Sequence, residues 1–137
     1  GRPHPLFRGA MSKSILAFVP RSRALRVYNV HSGLAAASGM GGTWREFWQT
    51  LQKIRKQGYA ESHGELDPGV IGIGAPVFNG NEVMGSISIG CSRARLALLN
   101  KDRLIELLLS TARELGRHVE GIPHAEAPNP AAVAAQT

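Results

Sequence analysis

Cysteine is nearly absent from this chain of 137 residues, with Cys91 standing alone. A single thiol excludes an internal disulfide, and without a second Cys or a close His pair there is no zinc-ligand spacing. Neither metal nor cofactor is expected, and a reducing compartment is. Also missing is any run of about 18 or more apolar residues, which excludes a membrane-spanning helix. The opening GRPHPLFRGAMSKS lacks the charged-then-apolar order of a secretory signal, so the expected location is the cytoplasm, without a membrane partner. Acidic residues are the minority, ten against sixteen Lys and Arg, for a net charge of +6. Such a balance favours anionic partners in general. The basic residues are scattered, however, over Arg21, Arg23 and Arg26, then Lys53, Arg55 and Lys56, then Arg93, Arg95, Lys101 and Arg103. A solvated surface explains that distribution more cheaply than a nucleic-acid stripe.

The 43% hydrophobic content suits one compact soluble domain with a real core. Ala10, Met11, Ile15 and Phe18 fall at helical spacing before Pro20 and predict a short helix. Ser22 is placed to cap a second, with Leu25, Val27 and Tyr28 as its apolar contacts, ending before Gly33. Thr43-Trp44-Arg45-Glu46 is a capping-box pattern, and Trp44, Phe47, Trp48, Leu51 and Ile54 form one face of a helix that Gly58 closes. The period then changes. Tyr59 to Glu65, Val70 to Phe78 and Val83 to Cys91 predict three strands, the last two joined as a β-hairpin. A final helix from about Lys101 to Val119 has a buried stripe of Leu104, Leu108, Thr111, Ala112, Leu115 and Val119. Ile105, Leu107 and Leu109 widen it into a possible subunit surface. Residues 121–137, rich in Pro and Ala, are expected to be an unstructured tail.

The hairpin is the informative element, because register decides which side chains share a face. A three-residue loop at Asn79, Gly80 and Asn81, with Asn81 left-handed, pairs Phe78 with Glu82. One face then carries Ile71, Ile73, Ala75 and Val77 with Val83, Gly85, Ile87 and Ile89. The other carries Gly72, Gly74 and Pro76 with Met84, Ser86, Ser88 and Gly90. Side chains this small border a cavity in which Ser86 and Ser88 offer hydroxyls to a ligand. Alternatively, they let a helix pack closely, or the face is open to solvent.

The stretch from Gly58 to Gly90, GYAESHGELDPGVIGIGAPVFNGNEVMGSISIG, resembles the core of the IclR (isocitrate lyase regulator) family. The shared pattern is an aromatic after a helix-ending Gly, a Glu, a Gly-Val, an apolar strand ending Ala-Pro-Val-Phe, and a small-residue strand ending in Gly. PLFRGAMSKSILAF is similar to the family segment in which Pro-Leu leads into a Gly-Lys-Ala-Leu-Leu-Ala helix, with Lys13, Leu16 and Ala17 in register. The resemblance covers roughly Pro5 to Glu120. It implies an α+β fold, a GAF-like antiparallel sheet flanked by helices, with residues 1–120 forming a partial effector-binding domain. It further implies a regulator that assembles as dimers or tetramers, answers small organic or aromatic acids, and meets DNA only through an N-terminal module outside this chain. The first strands and helix of the effector domain are also expected to lie outside it.

Carried over from the family, the effector contacts are Ala10 and Met11 at a helix start, then Ser62, Gly72, Ser88 and Gly90. Where the family often has Asp and Cys, this chain has Ser62 and Gly72, which implies a wider, less acidic pocket and a larger effector. Arg8, just before the helix, is a further candidate to grip a carboxylate or else a surface arginine. Trp44 and Trp48 match the core stripe better than a ligand stack. His4, His31, His63, His118 and His124 show no partnered arrangement and read as solvated or capping. The chain is not expected to be an enzyme. Ser86, Ser88, Cys91 and His63 lie on neighbouring strands, yet there is no nucleophile elbow, metal motif or acid pair. The short helices around Pro20 imitate a helix-turn-helix only weakly, and the Gly-Met-Gly-Gly run follows no strand as a phosphate cradle would. The competing functions are an oligomerisation module without a working pocket and a small hydrolase.

Overall fold

The structure, a computed structural model, describes residues 5–122. The tail expected at 121–137 therefore lies almost wholly outside the described residues, as do His4 and His124. In chain order the elements are α1 (Ala10–Leu16), α2 (Arg21–Ala37), α3 (Trp44–Gln57), β1 (Ala60–His63), β2 (Val70–Asn79), β3 (Glu82–Ser92), α4 (Arg93–Ala97) and α5 (Lys101–Val119). The strands form one antiparallel sheet in the order β1-β2-β3. This is the α+β arrangement expected, with helices on both faces.

α3 forms as its sequence dictates. The Thr43 side chain accepts from the Glu46 amide while Glu46 Oε2 accepts from the Thr43 amide, and Gly58 ends the helix in the left-handed conformation. α2 departs from expectation at both ends. Its N-cap is Pro20, not Ser22, and the helix continues through Gly33 to Ala37 with one non-helical residue, His31. The alanines beyond Gly33 are strong helix formers and Ala35 is fully buried, which outweighs the roughly 1 kcal/mol that an internal Gly costs. α4 was not anticipated. Its signal was Ser92, whose hydroxyl caps the Arg95 amide.

The hairpin turn is tighter than expected. Asn79 pairs with Glu82 across a two-residue loop, and the left-handed residue is Gly80 at φ 60°, not Asn81. Glycine bears that conformation without the Cβ clash Asn would meet, as in the II′ hairpin turn. A bulge follows at once: Val77 opposes Gly85 but Phe78 opposes Val83, leaving Met84 as the extra residue. Turn and bulge together displace the register by two, so the expected faces survive below the bulge. Above the bulge Val83 and Glu82 change sides, and Val83 packs against the helical core.

The sheet thus divides two cores. On one side, Ile73, Ala75 and Val77 pack under Ile105, Leu108 and Ala112 of α5. On the other, Leu16, Ala17, Tyr28, Phe47 and Leu51 bring α1, α2 and α3 together over Ala60. α5 is only partly as expected. Of the expected stripe, Thr111 and Leu115 are exposed; of the residues expected to widen it, Ile105 is buried and Leu109 packs against the sheet core, while Leu107 is 61% exposed. Three strands are too narrow a platform to cover the whole stripe.

Candidate functional site

α1 lies on the small-residue face, and the contact is close. A Cβ on Gly74 would stand 2.7 Å from the carbonyl carbon and oxygen of Ala10 and 3.0 Å from the Met11 nitrogen. Close helix packing is therefore the reason for Gly74. Ser86 serves the same seam, its hydroxyl sharing a 2.7 Å hydrogen bond with Ser14 and donating to the Ala75 carbonyl at 3.0 Å. Beside this seam the sheet and helix separate into a cavity of about 130 Å³. Ala10, Met11, Ser62, Gly72, Ser88 and Gly90 line it, together with Glu65, Leu66 and Asp67 from the β1–β2 loop. That is room for about four water molecules. Ser62 is a buried residue at 7% exposure, and among the described residues neither its hydroxyl, which opens on the cavity, nor that of Ser88 has a hydrogen-bond partner.

The loop 64–69 closes one end of the cavity electrostatically. Glu65 Oε2 accepts from the Gly9 amide at 2.7 Å and Oε1 accepts from Lys13 Nζ at 2.5 Å, while Arg8 donates to the Glu65 carbonyl. Glu65 thus supplies the carboxylate that the uncapped start of α1 lacks on its own.

The same arrangement of helices over an antiparallel sheet is found in known proteins. Residues 1–117 match the family model "Bacterial transcriptional regulator IclR C-terminal". The chain belongs to the IclR family. It is 30% identical over 120 residues to the HTH-type transcriptional regulator KipR of Bacillus subtilis, covering 87% of this chain and 48% of that protein. It thus spans about half the length of the curated relatives it matches. The C-terminal domain of a transcriptional regulator from Vibrio cholerae superposes with a TM-score of 0.67 at 38% identity, over 82% of this chain and 65% of that one. The inducer-binding domain of PobR from Acinetobacter, crystallised with 3-hydroxybenzoic acid, shares the fold at a TM-score of 0.66 and 22% identity, over 85% and 67% of the two chains. This IclR chain corresponds to the C-terminal part of such regulators, and the relatives it matches are named as transcriptional regulators, not enzymes.

Within the IclR domain, six of the eight expected contact residues come together. Ala10, Met11, Ser62, Gly72, Ser88 and Gly90 share the one cavity. Two do not join them. Arg8 is turned to the loop backbone, and Ser86 is consumed by the α1 seam. The wider, less acidic pocket is also not what is found. Ser62 Oγ sits 2.6 Å from where a Cβ on Gly72 would be, so the hydroxyl takes up the space Gly72 leaves. Glu65 and Asp67 restore acidity from a loop that strand reasoning did not reach. Their signal was GELDPG, a turn sequence between two strands with two carboxylates in it.

Trp44 and Trp48 stand on the far side of α3, stacked at 5.5 Å with Arg21 over both rings. They are packing residues, as their spacing predicted. His31 edges Phe7, and His118 Nδ1 lies 2.9 Å from the Glu114 carbonyl. His63 does have a partner, contrary to expectation: its Nε2 is 3.0 Å from Glu61 Oε2. Glu61 also accepts from Lys101 Nζ, joining β1 to the start of α5. Burial pushes the Glu61 carboxyl up, but hydrogen bonds from Lys101 and His63 outweigh it and hold the group below its ordinary range. The reciprocal bond from Glu61 raises Lys101. No helix among the described residues is long and apolar enough to cross a membrane.

Proposed function

We propose that this domain senses a small organic or aromatic acid in the cavity between α1 and the sheet. The parent regulator would pass occupancy through the arrangement of its assembled subunits to a DNA-binding module outside this chain. The observation that carries the reading is Ser62, a buried residue whose hydroxyl is open to the cavity and has no hydrogen-bond partner among the described residues, beside Ser88 in the same lining. A hydroxyl that opens on a cavity and has no protein partner can both donate to and accept from a ligand oxygen. The Ala10 and Met11 amides belong to the first turn of α1, where N–H groups have no intrahelical acceptor and favour a carboxylate. The size of the cavity favours compact acids. The 3-hydroxybenzoic acid held by PobR places aryl carboxylates beside keto acids among the first compounds to test. Self-association draws support from the apolar residues that α4 and α5 leave in solvent, Leu98 at 86% and Leu107 at 61% exposure.

Two ligand-bound states that differ in subunit arrangement are enough to shift the spacing of attached modules, provided the ligand binds one state better. The test is a thermal-shift screen of keto acids, aryl carboxylates and their uncharged amides, on this chain and on Ser62→Ala. One acid class should raise the melting temperature by a few degrees, with the rise lost in the variant and absent for the amide. Equal shifts in both proteins, or none with any acid, would remove the reading.

A further inference from the structure

A second, larger cavity of about 710 Å³ lies at the opposite end of the molecule from the loop 64–69. It is bounded by α5, the end of α3 and the β2–β3 turn, and its lining includes Phe18, Arg55, Pro76, Phe78, Arg113 and Arg117. The volume falls within the range typical of small-molecule sites. Its chemistry is amphipathic. Phe18 and Phe78 meet edge to face at 5.3 Å and form an aromatic wall. Arg113 and Arg117 are one turn apart on α5 and so project from the same face. Among the described residues, neither has an ion-pair or hydrogen-bond partner.

Arg55 completes the cationic side and is fixed in place. Its Nε donates to the Ala17 carbonyl at 2.9 Å and its Nη2 to the Val19 carbonyl at 3.0 Å, while the guanidinium lies 5.8 Å over the Phe18 ring. A guanidinium has five N–H donors, so two carbonyls leave it with more to give. Among the described residues Glu120 is the one carboxylate in the lining, and three guanidiniums against it leave an excess of two positive charges. The backbone is shaped for the cleft as well. A Cβ on Gly116 would stand 2.8 Å from the Phe78 carbonyl oxygen, so this glycine lets α5 lie directly against the strand and carries both arginines to the aromatic wall.

We propose that this cleft is a second ligand site, separate from the sheet cavity, for an aryl anion whose carboxylate or phosphate is gripped by Arg113 and Arg117 while its ring lies against Phe18 and Phe78. Guanidinium forks suit both head groups, and the aromatic wall supplies affinity that a bare anion would not gain. The site does not depend on the sheet cavity holding a ligand.

The experiment is an NMR titration of this chain, read at glycine amides. Gly58, Gly80 and Gly116 report on the cleft, and Gly72 and Gly90 on the sheet cavity. The probes are 2-naphthoate and phenyl phosphate, with naphthalene-2-carboxamide and inorganic phosphate as the ring-only and head-only controls. Saturable shifts are expected at the three cleft glycines with one or both aryl anions, and binding by each control should be at least about tenfold weaker. The double variant Arg113→Gln/Arg117→Gln should raise Kd by about tenfold or more while leaving Gly72 and Gly90 where they were, since both side chains are exposed. Preference for one head group identifies it. Shifts confined to Gly72 and Gly90, an unchanged Kd in the double variant, or no saturable shift with either aryl anion would overturn the proposal. Occupancy of the sheet cavity is read separately in the same spectra.

Discussion

Gly72 and Gly74 occupy the same face of the same strand, yet their neighbours make them unequal. A methyl at Gly74 meets helix backbone at 2.7 Å, and backbone cannot step aside without moving α1. Gly74→Ala should therefore cost about 1–3 kcal/mol, the usual range for overpacking, seen as a lowered denaturation midpoint with an unchanged slope. A methyl at Gly72 meets the Ser62 hydroxyl, which can rotate away. Gly72→Ala should be milder in stability and should instead shrink the cavity, weakening any acid that stabilises the native chain. Glu61 adds a pH dependence. Because its carboxyl is held below the ordinary range when folded, its contribution is complete above that range and is lost as pH falls through the folded value. Lys101 mirrors it: raised when folded, it contributes below the ordinary lysine range and loses that contribution as pH rises through its folded value. Glu61→Gln should thus lower stability at neutral pH by under about 1 kcal/mol, as for partly exposed pairs. In acid-denaturation curves the two proteins should converge at low pH; a constant gap would mean that Glu61 matters for packing and not charge.

Between elements, the contacts that tie the ends down are few and specific. The Asn79 side chain donates to the Ile122 carbonyl at 2.9 Å and accepts from the Gly121 amide at 3.2 Å, clamping the chain after α5 to the hairpin. Asn79→Ala should fray the last turn of α5, raising hydrogen exchange at Arg117 to Val119 with little change in β1. Thr43→Ala should cost about 1 kcal/mol through the lost cap of α3. How legible these elements were follows from how local their causes are. The α3 cap is written within four residues and was readable. The extent of α2 rests on burial of Ala35 by distant residues, and nothing near Gly33 announces it. In the hairpin, alternation set the two faces correctly even though the turn is one residue shorter than expected and the bulge was not foreseen, because the two departures together preserve parity. The site was legible in its strand residues for the same reason, while Arg8, Ser86 and Glu65 were misjudged or missed because partners 52 to 72 positions away decide their roles.

At the scale of the whole molecule, a sheet of three strands presents two unpaired edges, and β3 offers the longer one. Open edges recruit partners. The melting temperature of this chain should therefore rise with protein concentration, and a midpoint constant over a hundredfold range would show the edge to be protected. The sheet has a further role as a partition. Along β2, successive residues alternate between the chamber under α1 and the packing under α5, so Gly72 and Ile73 are bonded neighbours that belong to different sides. Whatever tilts the pleat at Gly72 tilts Ile73 against Ile105 and Leu108 one peptide away. The strand would then act as a diaphragm: a molecule pressing on one side would be felt on the other over a distance of a single amino acid, with no need for a relay.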